Sequence, residues 1–391
     1  MASAARMNWA RRFIAGSIRA DMQTATVEKE VVRRERIPET MQAAVYRGVN
    51  DVRVEAVPVP RIGPGDVLLR VATCGVCGTD LKKIRTGSHS APRIFGHEIA
   101  GVIAAKGEGV RDFEVGDHAM AFHHVPCGDC YYCRKKTFAQ CPSYKSVGCT
   151  AGFEPSGGGF AEYVQVKDWI VRRGLIKLPR NLPFEQAAFI EPLNTTYKGV
   201  RALRLESDET VLVIGQGPIG ILLATLARRT GAKVVTSDLY PQRHAVARTF
   251  GLEHPIDAST ENVVARVREL SEGRGADAVM LAVGGNSLIR TAIDAARPGG
   301  RIMLFAQTQH GDASFDPAVI CMDEKTLMGS YSSSAAIQDE GVRIVVDGYT
   351  EGYDLTRLIS HRFPLSRAAE AIAFASEPHP DSMKIMIEPG N

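Results

Sequence analysis

The chain has 391 residues, of which 45% are hydrophobic and 23% charged, with 37 glycines and 20 prolines. That length holds two domains more naturally than one or three, and the apolar share excludes a chain disordered throughout. A net charge of +3 gives no basic excess for nucleic acid, aromatics at 7% give no stacking platform, and no apolar run nears the ~18 residues of a membrane span.

Residues 1–40 stand apart. The stretch from Met1 to Ala20 carries Arg6, Arg11, Arg12 and Arg19 without an acid, and a mixed charge run follows from Glu28 to Arg36. We read this as an N-terminal extension: a surface helix, a disordered arm or an upstream start. An organellar transit peptide is the alternative. With no secretory h-region, a cytoplasmic protein is expected.

From Met41 to about Val171 the pattern is β. Short runs such as Val67-Leu-Leu-Arg-Val-Ala and Ile99-Ala-Gly-Val-Ile-Ala are punctuated by Gly-Pro, Gly-Asp and Gly-Gly turns. This part also concentrates metal-type side chains. Four of the eight cysteines, Cys127, Cys130, Cys133 and Cys141, lie close together. Four thiolates complete a tetrahedral zinc and leave no open position, so a metal held there is structural. An iron–sulfur cluster also takes four cysteines, but its usual spacings differ. A second set is dispersed: Cys74-Gly-Val-Cys77-Gly-Thr79-Asp80, Gly96-His97-Glu98 and, further on, Glu191. One thiolate, one imidazole and one carboxylate bind zinc with a position left for substrate. Spacing alone does no more than suggest this, because a lone His is more often a satisfied core residue.

After Leu182 helical spacing begins, in Phe184 to Phe189 and again from Leu193 to Leu203. Strands then alternate with helices. Val211-Leu-Val-Ile is followed by a helix from Ile219 to Arg229, and Lys233-Val-Val-Thr-Ser by a helix from Arg243 to Phe250. Ala276 to Val283 and Gly300 to Ala306 are two more strands. Such alternation means βαβ units and a parallel sheet. Gly215-Gln-Gly217-Pro-Ile219-Gly220 opens the first of these helices directly after a strand, which is the setting a dinucleotide fingerprint requires. Gly215 permits the turn, Gly217 the approach of a pyrophosphate, and Gly220 close packing of helix on strand. Asp238, 18 residues after Gly220, ends the second strand, where a carboxylate bonds ribose hydroxyls and repels a 2′-phosphate. NAD is therefore expected over NADP, although Arg243 could accept a 2′-phosphate or stack on adenine.

These motifs, in this order, together with Gly101, Gly107, Val110 and Gly158-Gly-Phe-Ala-Glu-Tyr-Val, give the segment from Met41 to Asn391 its resemblance to the zinc-dependent medium-chain dehydrogenase/reductase superfamily. The resemblance implies an α/β chain: a GroES-like β-rich catalytic domain (41–190 and 329–391) around a Rossmann domain with a doubly wound parallel sheet (191–328). It implies two zinc ions per chain, one structural on the four cysteines and one catalytic on Cys77 and His97, with Glu98 or Glu191 as carboxylate ligand. Asp80 would orient His97, Thr79 would relay the substrate proton, and Gly215, Gly217, Ile219, Gly220, Asp238 and Arg243 would hold the dinucleotide. Cys74, Cys149 and Cys321 are read as packing residues, and His123 and His124 as packing of the four-cysteine lobe rather than ligands.

Two departures from the family pattern narrow the substrate. Lys82, followed by Lys83, stands where many relatives have a relay histidine; it could finish the relay or bind an anionic group. Ser332 replaces the polyol-contacting Arg of sorbitol-type enzymes, yet Ser332–Ser334 suit a hydroxyl-rich ligand or a strand edge. The expected function is oxidation of a secondary alcohol on a polyol, cyclitol or sugar-derived small molecule. A threonine-type or simple alcohol dehydrogenase is the alternative, and a silent dinucleotide-binding relative the alternative of another class. By family resemblance the chain is expected to form a homodimer or homotetramer.

Overall fold

A computed structural model describes residues 36–305 and 311–390, so the reading of the N-terminal extension lies almost entirely outside the described residues. In chain order the strands are β1 (Thr40–Gly48), β2 (Asp51–Pro58), β3 (Val67–Gly75), β4 (Glu98–Lys106), β5 (His118–Ala121), β6 (Cys149–Thr150), β7 (Tyr163–Val166) and β8 (Leu175–Lys177). A second group follows: β9 (Thr210–Ile214), β10 (Lys233–Asp238), β11 (His254–Asp257), β12 (Ala276–Leu281), β13 (Ala296–Leu304) and β14 (Thr326–Gly329). The chain closes with β15 (Ile359–Pro364) and β16 (Lys384–Glu388).

β9 to β14 form one sheet in the order β11-β10-β9-β12-β13-β14, and every pairing in it is parallel. This is the doubly wound Rossmann arrangement, whose order reverses between β9 and β12 and leaves a crevice at the strand ends there. All five residues of β9 are buried, as expected of a strand with both faces covered. The β-rich half is the GroES-like curled sheet, ordered β15-β16-β3-β4-β5-β8 with β7 also paired to β3. Here β16 runs antiparallel to β3, pairing Met386 with Gly75 and Ile387 with Cys74. The end of the chain is thus laid beside the segment that leads into Cys77.

The two halves are joined by apolar packing. One buried cluster includes Ala100, Met120, Phe122 and Met386 of the curled sheet with Leu193, Val213 and Met303 of the other half. The helix Ile190–Leu203 runs through this junction. Among the described residues no helix is long and apolar enough to cross a membrane.

Sequence reading left several elements unnamed, the helix Gly78–Thr86 and the strands β11 and β14 among them. The helix Gly78–Thr86 interrupts the β-rich part, and only Asp80 and Ile84 of it are buried, so it shows no apolar periodicity. It is specified by its ends instead. The Cys77 sulfur at the N-cap accepts the Thr79 N–H, and Gly87 at φ +62 closes the last turn onto the Lys83 carbonyl. β11 and β14, at four residues each, are too short to give a period.

Candidate active site

β3 and β4 set the floor of the site. Their register pairs Gly75 with Glu98. Cys77 follows two residues after the end of β3, and His97 directly precedes β4. Cys77, His97 and Glu98 come together with one ligand atom each, all within 4.8 Å of one another. His97 and Glu98 are buried. Asp80, one turn into the helix that Cys77 caps, meets His97 Nδ1 at 3.1 Å and is itself fully buried. That contact leaves Nε2 as the free donor atom of the imidazole.

The electrostatics suit a cation. Burial disfavours charge on His97, but Asp80 and Cys77 outweigh it and hold the imidazole well above the ordinary histidine range. Burial pushes the Glu191 carboxyl up to about 7; Glu98 and Asp80 push the same way, while His97 and Lys384 oppose them. A thiol, an imidazole and carboxyls this close, with this much negative charge, form a donor set that fits zinc. Glu191 sits in the first turn of the helix Ile190–Leu203, outside the tight group of three. Glu98 has its own counter-ion. Lys384, at the start of β16, is buried against it and also donates to the Val76 carbonyl at 3.0 Å. Sequence reasoning missed Lys384 because 286 positions separate it from Glu98; only the sheet register brings them together.

The four cysteines also converge. Cys130 and Cys133 are 3.5 Å apart, Cys127 and Cys141 3.6 Å, and Cys127 and Cys133 3.9 Å, sulfur to sulfur. A tetrahedral centre with zinc–sulfur bonds of about 2.3 Å spaces its sulfurs about 3.8 Å apart, so the residues fit a closed zinc site. The N–H groups of Cys127 and Gly128 point at sulfurs of Cys141 and Cys133 at 3.4 Å.

At the dinucleotide crevice Gly215 has φ +101, and a Cβ on Gly220 would run into the Gly215 carbonyl oxygen. Around Gly217 a Cβ would meet nothing within 4 Å, the open approach a pyrophosphate needs. Ile219 instead turns partly inward and packs on the core. Asp238 is buried. It accepts from Gln216 N at 2.7 Å and Tyr240 N at 3.1 Å, and Arg243 lies 3.3 Å away while resting over the Tyr240 ring. The helix Pro241–Thr249 is capped by Tyr240, so Asp238 is not its N-cap.

Several readings shift. Lys82 lines a hollow of about 170 Å³ with Gly78, Leu81, Arg85 and Ser376, and none of the zinc-type ligands lines it. Lys83 is the lysine that faces the imidazoles. Its ammonium lies over the Phe95 ring, 5.8 Å from the centroid, and its charge, after burial, helps push His123 and His124 down, His124 to about 3. Those two histidines form a column that continues from His97, their rings tilted against one another with centroids 4.5 Å and then 3.8 Å apart. Ser332–Ser334 are not a strand edge; they follow β14 and are consumed in internal hydrogen bonds to His124, Tyr144 and Asn194. Cys74 and Cys149 are buried as packing residues, but Cys321 is exposed and packs nothing.

With this geometry the comparisons agree. Residues 63–180 match the alcohol dehydrogenase GroES-like domain and residues 218–346 the zinc-binding dehydrogenase family. An L-threonine 3-dehydrogenase of Sinorhizobium fredii is 32% identical over 315 residues, covering 79% of this chain and 87% of that protein. The chain belongs to the zinc-dependent medium-chain dehydrogenase family. It is an oxidoreductase acting on CH–OH groups of small-molecule alcohols, with zinc and a nicotinamide dinucleotide as cofactors. It is also similar to sorbitol dehydrogenase of Bacillus subtilis, 26% identical over 359 residues and covering 90% of this chain and 98% of that one. Among solved structures, galactitol-1-phosphate dehydrogenase of Escherichia coli superposes with a TM-score of 0.76 at 28% identity, covering 89% of this chain and all of that one.

Proposed function

We propose that this family member oxidises a secondary alcohol on a polyol, cyclitol or sugar-derived substrate with NAD as acceptor. The observation that carries the reading is the polar column of His123 and His124 packed against His97 beside the Cys77–His97–Glu98 set. A buried polar wall discriminates against alcohols that would leave it unpaired, and so favours a ligand bearing several hydroxyls.

Cys77, His97 and Glu98 would hold the catalytic zinc, with Glu191 the nearby carboxyl that can take Glu98's place. Zinc bound there supplies a Lewis acid that makes a substrate hydroxyl more acidic. Asp80 fixes the imidazole through Nδ1. Thr79, whose N–H donates to the Cys77 sulfur at 3.5 Å, takes the hydroxyl proton and passes it toward the nicotinamide ribose. Gly215, Gly217 and Gly220 cradle the pyrophosphate. Asp238 would meet the ribose hydroxyls and so supports NAD over NADP, and Arg243 lies beside its carboxylate.

Lys83 favours a second reading, in which the substrate also carries an anionic group such as a sugar phosphate. Both readings meet one experiment. Purified enzyme is assayed with sorbitol, inositol, 2,3-butanediol, galactitol 1-phosphate and L-threonine, each with NAD and with NADP, and its zinc is counted. The expected result is two zinc ions per chain, falling to one without activity in Cys77→Ser, with turnover of a polyol or its phosphate and an NAD preference. A Lys83→Met loss confined to the phosphate ester supports the second reading. Turnover of threonine alone sinks both, and equal rates with NADP remove the role given to Asp238.

A further inference from the structure

The segment that leaves the Rossmann sheet after β14 is tied down from two sides. From the helix Ile190–Leu203, Lys198 Nζ donates to the Tyr331 carbonyl at 2.7 Å. One turn earlier, Asn194 accepts the Ser334 N–H at 2.7 Å and donates to the Ser334 carbonyl at 3.2 Å. From the opposite side comes Tyr144, three residues after the last of the four cysteines. Its hydroxyl donates to the Ser333 carbonyl at 3.0 Å and lies 2.9 Å from Ser333 Oγ and 3.1 Å from Ser332 Oγ. Ser332 Oγ in turn meets His124 Nε2 at 3.2 Å, and the Tyr144 ring packs at a tilt on His124 with centroids 4.0 Å apart.

Tyr144 is therefore buried at the meeting point of three parts: the four-cysteine lobe, the strap 331–334 and the imidazole column that ends on His97. The column has one unpaired hydrogen-bonding position. His123 is more than nine-tenths buried, and its Nδ1 has no hydrogen-bond partner. Such an atom is costly unless something completes it, and the ring lies directly beside the candidate zinc ligand. Ser332 adds a sign of constraint. It sits at φ +63, a conformation that non-glycine residues keep only where their surroundings impose it. Here the surroundings are Tyr144, His124 and Lys198, which also reaches the Ser332 carbonyl at 3.4 Å.

We infer that Tyr144 is a positioning residue through which the four-cysteine lobe aligns His123 and His124 for substrate recognition beside His97. The closed metal centre thereby acts on substrate affinity as well as on the stability of its own loop. His123 is the specificity-determining group, its Nδ1 meeting a polar group of the bound alcohol. This rests on His97 belonging to the catalytic centre, as proposed above.

Three variants test it. Tyr144→Phe keeps the ring and removes the hydroxyl. Ser332→Gly removes the other hydroxyl while suiting the positive φ, so it folds without added strain. Cys130→Ser opens the lobe. Each is compared with the parent by hydrogen exchange over 118–126 and 330–337, by zinc content, and by KM and kcat on the best alcohol of the panel. Tyr144→Phe and Ser332→Gly are expected to keep two zinc ions per chain and speed exchange in both segments together. They should raise KM about tenfold with kcat within about twofold, and the double variant should go no further than either single one. Cys130→Ser, with one zinc fewer, should move exchange and KM in the same direction. Exchange that rises over 127–145 alone, or in both segments with KM unchanged, overturns the proposal by making the latch structural only. A chain that turns over no member of the panel fails the polyol reading instead, and the exchange of the two segments still decides whether Tyr144 couples them.

Discussion

At the scale of single residues, the site depends on one long-range ion pair. Glu98 is almost fully buried, and a carboxylate in that position needs a counter-charge or must take up a proton. Lys384 supplies the charge from the far end of the chain. Burial alone would lower its pKa, but Glu98 and Cys77 outweigh that and raise it, so the lysine stays charged. The fit leaves no room for a side chain at Gly75: a Cβ there, directly opposite Glu98, would lie 2.7 Å from Lys384 Cε. Removing one partner of a buried pair typically costs about 3–5 kcal/mol, because the other charge is left behind. Lys384→Met is thus expected to lower the stability of the enzyme by about 3 kcal/mol in urea unfolding, and Gly75→Ala to shift the midpoint in the same direction. A midpoint unchanged in Lys384→Met would mean that the buried Glu98 does not depend on the lysine for its stability.

At the scale of elements, legibility follows from how each piece is held. The four-cysteine lobe could be read because its fold is written in its ligands. Its buried cluster is only Cys133, Ala139, Cys141 and Tyr144, with Phe138 packed on it. So small a core does not hold a loop by hydrophobic burial, and the metal must supply the folding energy. Cys133→Ser is expected to open the lobe, so that trypsin cuts at Arg134, Lys135 or Lys136 while the separate core of the curled sheet stays protected. Equal resistance of variant and parent would show that packing, not metal, carries the loop. The dinucleotide turn was legible for a similar reason, since Gly215 and Gly220 are demanded by backbone geometry at their own positions. What could not be read depends on distant partners. The helix Gly78–Thr86 is fixed by a cysteine cap and a glycine stop, not by a stripe. Lys83 rather than Lys82 faces the imidazoles because of the phase of that helix. Ser332–Ser334 looked like free hydroxyls for a ligand until Tyr144 and Asn194 were placed against them.

At the scale of the whole molecule, the parallel sheet has two open edges among the described residues, and they differ. β14 pairs only with β13. Natural sheets guard such an edge with charge, proline or a covering element. The lysine that precedes β14 does not serve: Lys325 folds inward, with its ammonium donating to the Ile293 carbonyl at 3.0 Å and paired with Asp323. Apolar surface is left beside the edge instead. Leu327 is 37% exposed and Met322 82% exposed. An unguarded edge flanked by apolar side chains suits self-complementary pairing with a second copy about a two-fold axis, which would continue the sheet across both subunits. We therefore expect a homodimer formed through β14, on its own or as the building unit of a tetramer. Leu327→Asp would place like charges across that axis and leave them without counter-ions, and the expected outcome is a shift from dimer to monomer in light scattering at micromolar concentration. The coenzyme crevice lies between β9 and β12, with β13 separating it from β14, so NAD binding should survive the shift. A parent chain that is already monomeric would remove the predicted dimer, and a Leu327→Asp variant that stays dimeric would move the interface away from this edge.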